Sequence, residues 1–150
     1  MILRTAILSL TLLLAACATP NLKPRAPITD DLLNGRWEIK SAEMDGKDFK
    51  VPGFVLEIAG NKYRGGTGPE LDTGSLVFYG DETADQARRM DVIGESGPNK
   101  GRKMMAIYRF VGPNGSELEA CYDFSGKDRP AAFESKPGTM IFRVTYVRVK

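Results

Sequence analysis

The sequence predicts an all-β domain whose eight antiparallel strands close into an up-and-down barrel. Short runs with period-two alternation of apolar and polar residues fill most of the chain, and clusters of Gly, Pro, Asn and Asp separate them. No helical segment longer than a few turns is indicated, except for an alternative short helix near residues 82–89. A meander of eight strands in about 120 residues leaves the fewest exposed edges when it closes on itself.

The first 17 residues have the composition of a cleaved targeting segment. Arg4 precedes an apolar run over residues 5–14, which is shorter than the about 20 residues that a membrane-spanning helix needs. Leu14-Ala15-Ala16-Cys17 resembles the bacterial lipobox, and that resemblance implies cleavage before Cys17 and acylation of Cys17. We therefore predict a signal peptide over residues 1–16 and an anchor that holds the protein on a membrane at about 0.8 kcal/mol per buried methylene.

A lipidated Cys17 and a flexible tether are predicted over residues 17–30, because this stretch has three prolines and no apolar periodicity. Twelve extended residues would hold the following domain roughly 35 Å from the membrane at about 3.1 Å each. Ala18 rather than Asp follows the cysteine. In a cell with two membranes, the sorting rule for such lipoproteins then implies the outer membrane, with the domain facing the periplasm. Thr29 or Asp30 is expected to cap a helical turn ahead of the first strand.

The barrel domain is predicted over residues 31–150. In its first strand Trp37, Ile39 and Ser41 alternate with polar neighbours, so one face of the strand is buried. Turn-forming pairs such as Asp45-Gly46 end the strands. The eight predicted strands cover residues 37–41, 54–58, 62–65, 71–79, 88–94, 102–111, 117–124 and 140–149.

Side-chain alternation also predicts which residues face outwards. Leu118, Ala120 and Tyr122 share one side of the seventh strand, and Glu117 and Glu119 are expected to point to water from the other. In the last strand the inward side is formed by Phe142, Val144 and Tyr146.

Several ordered motifs carry a resemblance to a known family. Gly35-Arg36-Trp37 is similar to the G-x-W signature of lipocalins. A longer series of motifs consists of residues 33–37, 41–47, 97–102, 107–108, 121–122, 126–130, 133 and 136–138. In this order, and over nearly the whole of residues 32–150, the series resembles an uncharacterised lipocalin-like domain family first described as a paralogous set in planctomycetes. The chain departs from that pattern at residues 65–69 and 82–86.

That family has no established activity, so the resemblance implies the barrel and leaves the function open. In lipocalins the equivalent tryptophan lies at the closed end of the barrel under an arginine from the last strand. The resemblance therefore implies structural roles for Trp37 and Arg148. Their cation–π contact would contribute about 0.5–2 kcal/mol.

Composition and motifs predict that the protein is not an enzyme. The chain contains no His, which removes Ser-His-Asp and Cys-His catalysis and histidine metal sites. Asp72-Thr73-Gly74-Ser75 matches the signature of aspartic proteases but is interpreted as a turn between strands. The loop over residues 97–103 lacks the spacing of a phosphate-binding loop. We predict no catalytic residue, no cofactor and no metal.

The expected partners follow from the charge and the anchor. The net charge is +2 and there is no dense run of Lys or Arg, so nucleic acid is not expected. The membrane is expected as a partner through the acyl chains. Cys121 is then the only free thiol, and we interpret it as a small apolar residue in a strand.

Two functions remain open. The leading hypothesis is a non-enzymatic lipoprotein that binds a small apolar or lipid-like ligand inside the barrel, and the alternative is a solid barrel that acts as a protein-interaction or inhibitor module for an envelope protein. A ligand binder needs a cavity, whereas a solid barrel is packed throughout. The candidate polar-tipped residues of a ligand site are Tyr63, Tyr108, Tyr122 and Tyr146.

The loop between the last two strands is the other candidate site. Lys127, Asp128 and Arg129 lie there in a turn-rich segment, and polar loops on a rigid scaffold often carry binding residues. As an alternative, Asp128 and Arg129 brace the loop through a local ion pair, which would contribute about 0–1 kcal/mol.

Overall fold

The structure is a computed structural model that describes residues 29–82 and 87–150. The predicted signal peptide over residues 1–16, the lipidation site Cys17 and the tether up to residue 28 lie outside the described residues.

Nine antiparallel strands form the described part of the chain. Each strand from β3 onwards pairs with the next, and β1 pairs with both β3 and β9, so eight strands close into a barrel. The short β2 adds only a hairpin to the end of β1. The predicted all-β barrel is confirmed. The strands are β1 (Gly35–Met44), β2 (Lys47–Asp48), β3 (Val55–Ala59), β4 (Lys62–Gly66), β5 (Asp72–Glu82), β6 (Arg88–Ser96), β7 (Lys103–Val111), β8 (Glu117–Asp123) and β9 (Ile141–Val149).

Two short 3₁₀ turns, η1 (Asp31–Leu33) and η2 (Pro113–Gly115), accompany the strands. Asp30 caps η1 by accepting a hydrogen bond from the Leu32 amide, as predicted. The alternative helix near residues 82–89 is wrong at both ends, because β5 continues to Glu82 and β6 begins at Arg88. In residues 29–82 and 87–150, no helix is long and apolar enough to cross a membrane.

The segment before β1 closes one end of the barrel. Leu33 is fully buried, and the Trp37 indole nitrogen donates to its carbonyl at 2.9 Å. The Arg148 guanidinium lies 4.2 Å from the centre of the Trp37 ring and donates to the carbonyls of Leu32 and Asn34. We call this the closed end, and the end where β3, β5, β7 and β9 begin is the open end.

A long loop over residues 124–140 joins β8 to β9 and folds back over the outside of the barrel. Phe133 in this loop stacks on Arg109 of β7, with the guanidinium carbon 4.2 Å from the ring centre. Ser135 accepts a hydrogen bond from the Gly46 amide. The loop thus turns one outer face of the sheet into a second buried layer.

Two expectations from the sequence, one based on side-chain alternation and one on turn-forming residues, are wrong. Glu119 does not point to water, because it is buried on this outer face, where it accepts hydrogen bonds from Arg109 and Arg143. The interpretation of residues 72–75 as a turn is wrong and their inclusion in the predicted strand over residues 71–79 is right, because they form the first four residues of β5 and pair with β4. Strand pairing on both sides overrides the turn preference of its Asp and Gly.

Candidate ligand-binding cavity

The barrel is hollow near its open end. A cavity of about 480 Å³ lies between the sheet and the loops of that end. Its wall consists mainly of aliphatic and aromatic side chains, and exposed residues such as Phe49 and Thr67 lie at its rim. The lining residues are Ile39, Phe49, Val51, Phe54, Leu56, Ile58, Tyr63, Gly65, Gly66, Thr67, Glu70, Asp72, Leu76, Met90, Val92, Pro98, Asn99, Met104, Tyr122, Phe124, Phe142 and Tyr146.

Large side chains occupy the closed half of the barrel. Trp37 and Phe110 have ring centres 6.5 Å apart, and Tyr108 packs edge-on against Phe110. Towards the open end β4 finishes with Gly65 and Gly66, which line the cavity without a side chain beyond Cα. The interior is therefore filled at one end and open at the other.

Three of the four predicted tyrosines line the cavity. Tyr63, Tyr122 and Tyr146 project into it from β4, β8 and β9. The placement predicted for Tyr108 is wrong, because its hydroxyl donates to Asp30 at 2.8 Å at the closed end. The capped turn before β1 supplies that carboxylate, which sequence alternation alone could not place.

A small polar network borders the cavity on the β4–β5 side. The Tyr63 hydroxyl donates to Asp72 at 3.0 Å, and the Asn99 backbone and side-chain amides donate to the same carboxylate at 3.0 and 2.8 Å. Burial and the neighbouring Asp72 raise the pKa of Tyr63 above its usual value. Tyr63 therefore stays a neutral donor throughout the physiological pH range.

Tyr122 and Tyr146 form a second polar point in the wall. They lie on the adjacent strands β8 and β9, and their phenol groups interact electrostatically. Burial raises the pKa of Tyr122 to about 12 and raises the pKa of Tyr146 well above its usual value. Both phenols are therefore neutral polar groups in a mainly apolar wall.

An aromatic cluster at the open end was not predicted. The rings of Phe49 and Phe124 lie 5.8 and 5.5 Å from the ring of Phe142. Phe49 is 45% exposed and follows β2, which is too short to show any alternation. In the sequence, Phe49 is a single aromatic residue shortly after the Asp45-Gly46 turn, and this was the only signal for the mouth of the cavity, by which we mean its opening at the open end of the barrel.

The residues singled out in the long loop serve mainly to attach it. Arg129 donates to Asp91 at 2.5 Å and to the carbonyls of Met90 and Ala106. The Lys127 and Asp128 amides donate to Asp123. The ion pair of Arg129 is thus made with a strand residue, instead of the local pair with Asp128 considered as the alternative.

Cys121 lies beneath the same loop. Its side chain is fully buried on β8, and burial raises the pKa of the thiol to about 12. The thiol is therefore protonated near neutral pH and behaves as a small apolar group. The described ranges contain no group of three or more His, Cys, Asp or Glu side chains arranged to hold a metal ion.

Comparisons with protein families, with curated proteins and with solved structures found no match for this chain. The resemblance to the lipocalin-like family accordingly stays a prediction from sequence motifs.

Proposed function

We propose that this protein is a lipid-anchored, non-enzymatic component of the bacterial cell envelope that binds one small apolar or lipid-like molecule inside its barrel. The anchor would be the acylated Cys17, and the membrane would be the outer membrane, with the barrel on its periplasmic side. The observation that supports ligand binding is the apolar cavity at the open end.

The size and chemistry of the cavity favour this function. Ligand pockets usually measure about 300–1,000 Å³ and combine an apolar wall with a few polar groups, and the cavity here measures about 480 Å³. Protein interiors otherwise pack to a density of about 0.74 with few voids larger than a water molecule. The solid-barrel alternative required such a filled interior, so we favour the ligand binder.

The topology is compatible with an anchor at the N-terminus. Residue 29 leads into η1 at the closed end, where Asp30 bonds to Tyr108 and Arg88. An acylated segment upstream would therefore join the barrel on the side opposite the mouth, and the mouth would be accessible to a ligand.

Binding can be tested with N-phenyl-1-naphthylamine, a neutral apolar dye that fluoresces when it leaves water. The matched variants are Val92→Phe and Val77→Phe. Val92 is buried and lines the cavity, whereas Val77 is 44% exposed on the outer face of β5. Both changes add the same atoms, but only the first fills the cavity.

We expect the unmodified protein and Val77→Phe to bind the dye, and Val92→Phe to lose most of the binding while retaining its circular dichroism spectrum. The absence of dye binding to the unmodified protein would reject the proposal, and so would full binding by Val92→Phe. Native mass spectrometry of protein purified gently from its envelope would identify a retained natural ligand.

A further inference from the structure

We propose that the cavity selects uncharged molecules that carry a hydrogen-bond-accepting oxygen, such as esters, and rejects carboxylates such as free fatty acids. This inference rests on the proposed function, since it names the chemical class of the ligand. Two features support it: the sign of the charges around the cavity and the Tyr122–Tyr146 pair.

The charges at the cavity have one sign. Among the described residues that line it, the charged side chains are Glu70 and Asp72, and both are acidic. Lys50 and Lys100 lie on neighbouring loops, but they are exposed and do not line the cavity. A carboxylate inside the cavity would therefore have no cation in its wall.

Such an anion would be strongly disfavoured. An ionised carboxylate that leaves water without an opposite charge loses much of its solvation free energy. It would also be repelled by Glu70 and Asp72, and the repulsion strengthens as the surroundings become less polar. A neutral ester of the same chain length carries no charge, so it neither loses the solvation free energy of an ion nor is repelled by these carboxylates.

The tyrosine pair provides one unused donor. Tyr122 and Tyr146 both line the cavity and interact electrostatically with one another, and even a hydrogen bond between two phenols would use only one of their two O–H groups as a donor. Within the part of the chain that the structure describes, neither hydroxyl has a further partner. The remaining O–H group can therefore donate a hydrogen bond to a ligand oxygen in the cavity.

The preference for an acceptor oxygen follows from this geometry. Most of the cavity wall is apolar, so the ligand must be apolar over most of its surface. A single ester, ketone or amide oxygen near Tyr122 would accept a hydrogen bond from the remaining O–H group. A pure hydrocarbon would fit the wall but leave that donor unpaired.

The test is displacement of N-phenyl-1-naphthylamine by three probes of similar length: methyl decanoate, sodium decanoate at pH 8 and undecane. The unmodified protein is expected to bind methyl decanoate at least about tenfold more tightly than decanoate, because only the latter carries a charge into the cavity. Equal or tighter binding of decanoate would overturn the proposal. Failure of the dye itself to bind would instead refute the proposed function.

The role of the tyrosine pair is tested with Tyr122→Phe and, as its control, Tyr79→Phe. Tyr79 is 41% exposed on β5 and does not line the cavity. Tyr122→Phe is expected to weaken methyl decanoate binding about two- to tenfold and to leave undecane binding unchanged, because one hydrogen bond is lost. Tyr79→Phe should change neither affinity.

An unchanged affinity of Tyr122→Phe for methyl decanoate, or an equal loss for methyl decanoate and undecane, would contradict the assignment of this donor. Retained dye binding and circular dichroism show that the variant is folded. If Tyr122→Phe does not fold, the comparison of methyl decanoate with decanoate on the unmodified protein still decides the charge selectivity.

Discussion

Trp37 is the residue on which the closed end of the barrel depends. Its ring is fully buried, its indole N–H bonds to the Leu33 carbonyl, and the guanidinium of Arg148 covers its outer face. The same guanidinium donates to two carbonyls of the segment before β1. One aromatic side chain thus connects the first strand, the last strand and the turn that closes the barrel.

Trp37→Ala is expected to lower the free energy of unfolding by about 3–5 kcal/mol, because it leaves a cavity in a packed region. Urea unfolding followed by circular dichroism measures the loss, since Trp37 is the only tryptophan and its fluorescence disappears in the variant. Phe49→Ala is the control, because Phe49 is half-exposed at the mouth. A loss below about 1 kcal/mol for Trp37→Ala would reject its role as a core anchor.

Single-residue predictions succeeded where alternation and a family motif agreed, as for the positions of Trp37 and Arg148. They failed for Glu119 and Tyr108, whose polar partners come from other segments of the chain. Glu119 is held by Arg109 and Arg143 of the two neighbouring strands, and Tyr108 is held by Asp30, which is 78 residues away along the chain. Alternation places a side chain on a face of a strand but says nothing of what packs against that face.

The long loop over residues 124–140 is attached to the barrel through Asp91 of β6. Asp91 is 2% exposed and accepts hydrogen bonds from Arg129, Lys103 and Tyr79. Burial alone would raise the pKa of Asp91, but these three donors outweigh burial and hold the pKa below its usual value. Its ionised form therefore stabilises the folded protein.

This arrangement predicts a loss of stability in acid. A carboxyl whose pKa is lower in the folded than in the unfolded state stabilises the fold above the unfolded pKa of about 4, and the stabilisation disappears as the pH falls through the folded pKa. Asp91→Asn should cost about 1.5–3 kcal/mol at pH 7. It should also flatten the dependence of stability on pH below about 4.

Urea unfolding at pH 7 and at several values below pH 4 measures both effects. Asp48→Asn serves as the control, because it makes the same chemical change at an exposed position on β2. A pH profile of Asp91→Asn that is as steep as that of the unmodified protein would contradict the role assigned to Asp91.

In the whole molecule, the proposed lipid anchor and the ligand-binding barrel depend on different residues. The anchor depends on Cys17 and the residues just before it, whereas the cavity depends on side chains from strands along the entire domain. The two functions can therefore be tested independently.

Cys17→Ser is expected to abolish incorporation of radiolabelled palmitate and to release the protein from the membrane fraction, because the acceptor of the lipid is lost. Cys121→Ala is the matched control, since Cys121 is fully buried in the barrel and should leave labelling intact. Persistent labelling of Cys17→Ser would refute the lipoprotein assignment.

The eight barrel strands, their order and the closure of the barrel could be predicted from the sequence, because period-two alternation and turn residues are local signals and a meander pairs neighbours in the chain. The two-residue β2 could not be predicted, since it is too short to show alternation. The hollow interior could not be predicted either. That property depends on the combined volume of inward side chains from all eight strands and on the loops of one end. Tyr63, Tyr122 and Tyr146 came together at the cavity for the same reason, since the strand register and the closure of β1 on β9 set their distances.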